Sequence, residues 1–402
     1  MPGMNRPADA YGKKKSDGGD GMKRRICLLV LLLCALWPAN ALAAEGVELN
    51  LEAPAAVLME KTTGEVLYAK NEHQPYEPAS VTKVMTLLLT MEAMEKGAIA
   101  YDDVVTVSAY AASMGGSNVY LEEGEQMTVE DLIKAVCVAS ANDASVALAE
   151  HISGVTELFV AEMNNRAKEL GMQDTCFINC TGLPAEGHMT SAWDIAVMSR
   201  ELILNFPELR KFTTIWMDSL RDGAFELANT NKLIRFYDGA TGLKTGSTSS
   251  AGYCISATAE REGMELIAVV LHGSTSQQRF EDAKTMLNYG FSTYGLYTAE
   301  PTEPLAPLAV KLGMTDTVAL ELPEEGRQAL VKKGQISNLT QTVQLPEAAE
   351  APIQKGQQVG TLQVLDGETV VLEVPIQAAE TVEHLTWSEM FWRLLDQTFL
   401  LT

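Results

Sequence analysis

Strand-patterned segments occur at two places far apart in this chain, and the residues between them read as helices. Residues 55–71, "AAVLMEKTTGEVLYAKN", hold two short apolar runs around Thr63-Gly64, the pattern of a strand, a turn and a strand. Beyond Thr230, "GLKTGST", "GYCISATAEREG" and "MELIAVVLHGS" read as consecutive antiparallel strands, the last two joined by a tight turn at Glu262-Gly263. Between the two blocks lie "VMTLLLTMEAMEKG", "VEDLIKAVCVA", "DASVALAEHISG", "LFVAEMNNRAKELGM" and "SAWDIAVMSRELILNF", all with helical periodicity. A last helix, "QQRFEDAKTMLNYGFSTY", closes the unit. Strands, helices and strands again predict one α+β domain over residues 44–298, its antiparallel sheet assembled from both ends of the segment and flanked by helices.

Prolines 301, 304 and 307 mark a linker over 299–308. Residues 309–380 hold short β-patterned pieces such as "QQVGTLQVL" and "TVVLEVPI", which predict a small β-sandwich domain. In the last segment, 381–402, Trp387, Met390, Phe391, Leu394 and Leu395 fall on one helical face. Its length and its charges Glu389, Arg393 and Asp396 argue against a membrane span and for a helix lying in the membrane interface. The alternative is a helix docked on its own β domain.

At the other end, Lys23, Arg24 and Arg25 precede an apolar run and then Ala41-Leu42-Ala43, the form of a cleavable export signal. A mature chain starting near Ala44 is expected. Residues 1–21 resemble neither signal nor domain, and a translation start at Met22 and a short tail ahead of the signal both account for them. Residues 1–43 carry seven Lys/Arg and three Asp, so their removal takes the net charge from −23 to −27. So acidic a chain has nothing with which to track phosphates, which argues against a nucleic-acid partner. Its five histidines show no ligand spacing, so no metal is expected. Cys137, Cys176, Cys180 and Cys254 are too scattered for a disulfide framework, although the spacing of Cys176 and Cys180 permits a pair.

Three short motifs carry chemistry. In Ser80-x-x-Lys83, at a helix start, the spacing sets hydroxyl and amine on one face, one turn apart. A desolvated lysine there, in the positive field of a helix N-terminus, can lose its proton and accept that of Ser80. The plain alternative is a capping serine beside a solvated lysine. Ser140-Ala141-Asn142 lies between helical runs, where the hydroxyl can relay a proton and the carboxamide can hold a substrate amide and orient Lys83. Alternatively, Asn142 or Asp143 simply caps the next helix. Lys244-Thr245-Gly246 falls on a strand, where cation and hydroxyl can grip a carboxylate and the glycine lets a substrate backbone approach the edge. Each motif is weak alone, and the three in this order on these elements are specific.

On these motifs, and on "LEEGEQMTVEDLIKAVCVASANDASVALAE", "TGLPAEGHMTSAWDIAVMSREL" and "GATGLKTGSTSSAGYCISATA", the mature chain resembles the low-molecular-mass penicillin-binding proteins, serine-type D-alanyl-D-alanine carboxypeptidases. The resemblance implies a transpeptidase-type fold of the penicillin-binding and β-lactamase class, with no cofactor. It implies Ser80 as the acylated nucleophile, Lys83 as base, Ser140 and Asn142 as relay and clamp, and Lys244 and Thr245 as carboxylate grip beside Gly246. Backbone N–H groups of Ser80 and Ser247 would form the oxyanion hole. Arg279, in "QQRFEDAK", corresponds to an arginine associated with the terminal carboxylate, and a solvated helix position is its alternative. Peptidoglycan stem peptides would be the substrate and β-lactams covalent inhibitors, at the extracytoplasmic face of the bacterial membrane.

Two rivals are weaker. A β-lactamase of class A needs a Glu-bearing deacylation loop, and Glu162 and Glu169 sit in a segment that reads as carboxypeptidase instead. A non-catalytic envelope module would not keep all the motif side chains. Endopeptidase action on cross-links uses the same nucleophile and stays open.

Overall fold

The computed structural model describes residues 47–399. The export segment and residues 1–21 discussed above lie outside the described residues. The strands foreseen at both ends meet in one five-stranded antiparallel sheet. Calling them β1 (Ala55–Glu60), β2 (Val66–Lys70), β3 (Ala240–Thr248), β4 (Gly252–Arg261) and β5 (Met264–Gly273), their order is β2-β1-β5-β4-β3. β5 pairs with β1 through contacts such as Val57 with Val269, which ties the first strand to the last.

Both faces of this sheet are covered, so its inner strands are buried on both sides rather than alternating, and the polar residues among them, such as Glu60, Ser256 and Glu265, are buried too. Val57 and Met59 of β1 face one core, while Ala56 and Leu58 face the other. On the larger side lie α1 (Lys83–Glu95), α2 (Val129–Val138), α3 (Asn142–Ser153), α4 (Thr156–Glu169) and α5 (Ala192–Asn205). On the other side lies α6 (Ser276–Thr293). Helix α1 is buried around nearly its whole circumference, as a helix apolar on every side must be. Side-chain caps set three helix starts: Thr128 accepts from Asp131 N–H, Ser191 from Asp194 N–H and Thr275 from Gln278 N–H.

After α6 the chain continues as β6 (Tyr294–Thr298), which pairs with β7 (Gln328–Lys332) rather than with the central sheet. The end of the segment expected to be catalytic thus pairs with the β region that follows it. β8 (Leu339–Gln344), β9 (Gln358–Asp366) and β10 (Thr369–Ala378) form most of a four-stranded sheet. This β domain encloses two small apolar clusters, one around Val310 and Ile353 and one around Leu362 and Val374. The last helix, α7 (Trp387–Phe399), touches it through Arg393, whose guanidinium donates to Asp316 at 2.7 Å and to the Met314 carbonyl at 2.6 Å. Among the described residues no single helix is long and apolar enough to cross a membrane.

The cysteine pair allowed by spacing does not form. Cys176 and Cys180 are both free, Cys180 being buried with its Sγ turned toward the Ser145 carbonyl while Cys176 is exposed at the surface.

Candidate active site

The first motif begins in a strained turn. Ala79 takes φ +48°, in the left-handed region, and starts a single 3₁₀ turn, Ala79–Thr82, that runs directly into α1. Neither Ser80 nor Thr82 caps a backbone N–H with its side chain, so the capping explanation of the serine does not hold. Lys83 is the first residue of α1, and its side chain leans back over the turn to bring Nζ within 3.0 Å of Ser80 Oγ. Far from being solvated, Lys83 is 0% exposed.

Two further partners hold that amine: Asn142 Oδ1 at 2.6 Å and the Thr181 carbonyl at 2.6 Å. The roles follow from valence. Both oxygens can only accept, whereas the Ser80 hydroxyl can donate or accept. A neutral amine has two N–H groups and one lone pair, so it satisfies both carbonyls and leaves its lone pair facing the Ser80 proton. Desolvation, then the nearby charge of Lys244, lowers the Lys83 pKa well below the ordinary lysine value, against a weaker opposing pull from Cys180 and Asp143.

The second motif sits in the bend between α2 and α3. Ser140 has φ +62°, and α3 starts at Asn142 with Ala141, not Asn142 or Asp143, in the cap position. Asn142 is engaged at both ends of its carboxamide, the oxygen by Lys83 and the nitrogen by donation to the Gly115 carbonyl at 2.7 Å. These two partners fix the orientation of the amide, and its second N–H is what remains for a substrate carbonyl. Asp143 instead accepts from the N–H groups of Val119 and Leu121, which holds the 115–121 loop against the site.

The third motif lies on β3, an edge of the sheet. Lys244, 1% exposed, donates to Ser140 Oγ at 2.8 Å and to the Thr245 carbonyl at 2.9 Å. Burial brings its pKa down to about 7, Cys137 opposing the shift and Arg279 adding to it. Thr245 Oγ1 donates to Thr230 Oγ1 at 2.7 Å. Gly246 abuts the first motif: a Cβ there would stand 2.8 Å from both the Pro78 carbonyl oxygen and the Ser80 nitrogen, so any side chain would push the two motifs apart. Ser247, next along the strand, pairs with Tyr253 and is exposed. The site therefore contains two hydroxyl–amine pairs, Ser80 with Lys83 and Ser140 with Lys244.

Arg279 is not a solvated helix residue. It is 6% exposed, and its Nη1 donates to the carbonyls of Gly246 at 2.9 Å and Cys254 at 3.2 Å, which sets a guanidinium against the end of the third motif. Burial brings its pKa down to about 10.

Thr181, Gly115, Gly182 and Thr230 escaped the sequence reading. The first two act through backbone carbonyls, which no residue type announces. Gly182, at φ +83°, lies so close to the turn that a Cβ would stand 1.8 Å from the Ala79 carbonyl oxygen. Its signal was present: in Asn179-Cys-Thr-Gly182 the Asn179 Oδ1 accepts from the N–H groups of Thr181 and Gly182, a turn that such a sequence favours.

A family model described as D-alanyl-D-alanine carboxypeptidase matches residues 41–275, and one described as the C-terminal domain of penicillin-binding protein 5 matches residues 291–384. The chain is 46% identical over 343 residues to the D-alanyl-D-alanine carboxypeptidase DacF of Bacillus subtilis, covering 84% of this chain and 87% of that one. It is 30% identical over 375 residues to DacA of Escherichia coli, covering 86% and 90%. Among solved structures, penicillin-binding protein 5 of Haemophilus influenzae superposes with a TM-score of 0.73 at 30% identity, over 84% of this chain and 100% of that one. Penicillin-binding protein D2 of Listeria monocytogenes in its ampicillin-bound form superposes with a TM-score of 0.56 at 34% identity, over 61% and 99%.

Proposed function

The chain belongs to the D-alanyl-D-alanine carboxypeptidase family, and on that premise we propose how its site works and where in the cell it acts. It is a serine carboxypeptidase that removes the terminal D-alanine from peptidoglycan pentapeptide stems through an acyl-enzyme, and it binds penicillins. The observation that carries the mechanism is the Lys83 amine, buried, held by two acceptor-only oxygens and facing Ser80 Oγ with the valence left over.

Ser80 Oγ attacks the carbonyl of the penultimate D-alanine while Lys83 takes its proton. The developing oxyanion accepts from the N–H groups of Ser80 and Ser247. Ser140, hydrogen-bonded to the Lys244 ammonium, relays the proton: it hands its own to the departing amine and regains one from the Lys83 ammonium, and D-alanine leaves. Lys244 and Thr245 hold the terminal carboxylate, with the Arg279 charge behind Gly246 adding to the field. Water then opens the ester and returns Ser80 to its hydroxyl form. A β-lactam enters as a mimic of the dipeptide, acylates the same oxygen and is released slowly.

The protein acts on the extracytoplasmic face of the cell membrane. The signal-like segment ending at Ala43 supports export, and in α7 the exposed Trp387 (88%), Phe391 (59%) and Trp392 (64%) support an interfacial anchor.

The test is release of D-alanine from diacetyl-L-Lys-D-Ala-D-Ala by the chain from residue 44 onward, beside Ser80→Ala. Release by the first and none by the second is expected. Equal release by both would remove Ser80 from the nucleophile's role.

A further inference from the structure

In a planar trans peptide the carbonyl and the N–H point in opposite directions, so whatever fixes the Ala79 carbonyl also aims the Ser80 N–H. Rotation of that one peptide plane about its two flanking bonds would leave the rest of the turn in place and swing the N–H away. The turn offers little intrinsic resistance, because Ala79 already holds a left-handed φ that residues with a Cβ seldom adopt.

A buried side-chain relay holds the plane. The Ala79 carbonyl accepts from Thr82 Oγ1 at 2.9 Å, and Thr82 Oγ1 lies 2.8 Å from His188 Nε2. On the other side of the ring, His188 Nδ1 accepts from the Ile178 N–H at 3.1 Å. Every proton in this chain has a single direction. The Ile178 N–H can only donate, so the neutral imidazole carries its proton on Nε2 and donates to Thr82, which in turn donates to a carbonyl that can only accept. Thr82 is 0% and His188 2% exposed, and burial holds the His188 pKa down to about 4, so the ring stays neutral near pH 7 and the relay keeps its sense.

We propose that His188 is a positioning residue for acylation: through Thr82 it locks the Ala79–Ser80 peptide plane and so aims the Ser80 N–H at the oxygen of the attacked carbonyl. The inference rests on Ser80 being the acylated nucleophile with its own N–H in the oxyanion hole.

Two substitutions at His188 separate this role from a merely structural one. Glutamine can set its amide nitrogen where Nε2 was and keep the donation to Thr82. Asparagine can set its oxygen where Nδ1 was and keep only the partner of Ile178. Single-turnover acylation by a chromogenic penicillin, on the whole chain from residue 44, resolves the non-covalent constant K′ from the acylation rate constant k2. Loss of one oxyanion donor lowers rates about 10²- to 10³-fold, so misaiming it in His188→Asn and in Thr82→Val should lower k2 about 10- to 100-fold with little change in K′. His188→Gln and Thr82→Ser should recover most of the loss. Should His188→Asn fail to fold, the Thr82 pair makes the same comparison with an isosteric change. A k2 within about twofold of wild type in folded His188→Asn and Thr82→Val, or an effect confined to K′, would overturn the inference. A wild type that forms no Ser80 adduct would overturn the nucleophile assignment and the inference with it, so the two failures are distinguishable.

Discussion

Lys83 and Lys244 are both buried amines, and among the described residues neither has a carboxylate within ion-pair distance. An unpaired buried ammonium carries a penalty of several kcal/mol, and each pKa unit of depression relieves about 1.4 kcal/mol of it, so the neutral form gains. The two shifts have opposite consequences for catalysis. In the proposed mechanism Lys83 is the neutral base, so k2 for penicillin acylation should rise with pH only through its depressed pKa and be flat above it. In the proposed mechanism Lys244 grips the carboxylate as a cation, so that binding should weaken as pH rises through about 7. Measuring k2 and K′ separately between pH 5 and pH 10, on the order of the range these groups span, checks both. A k2 that keeps climbing to the ordinary lysine value would show Lys83 to be protonated in the resting site. A K′ independent of pH would show that Lys244 does not supply the grip.

At the scale of elements, α7 is separable from the catalytic groups. It carries large exposed apolar rings, and its Arg393 guanidinium reaches the β domain at Asp316 and the Met314 carbonyl. From residue 44 the chain carries a net charge of −27 and gains nothing from anionic headgroups, so any anchoring by this helix comes from apolar insertion. The chain from residue 44 should co-sediment with phosphatidylcholine vesicles at high salt, and the same chain ending at residue 386 should not. Equal partitioning of the two would mean that α7 is no anchor. Elements also show what could be read in advance. The strand blocks, the helix periodicities and the placing of Ser80, Ser140 and Lys244 on helix start, bend and strand follow from local pattern, which is where sequence speaks most directly. Thr181 and Gly115 did not show, because they contribute carbonyls that only the folded path brings to Lys83 and Asn142. Arg279 was ambiguous for a related reason. Its helix position looks solvent-facing until packing turns it beneath Gly246 and Cys254.

At the scale of the whole molecule, the pairing of β1 with β5 closes a sheet whose edge strand β3 carries the third motif, and Gly246 docks that edge onto the Ser80 turn. Residues from three distant segments thus meet at one site, where the buried Lys83 amine lies 3.0 Å from Ser80 Oγ and Lys244 lies 2.8 Å from Ser140 Oγ. As a D-alanyl-D-alanine carboxypeptidase, the protein trims free stem ends. Muropeptide analysis of pentapeptide-rich sacculi incubated with the chain from residue 44 tests that directly. Pentapeptide monomers should become tetrapeptides, with no conversion by Ser80→Ala. Loss of dimers with the pentapeptides left intact would contradict the account and make the protein an endopeptidase.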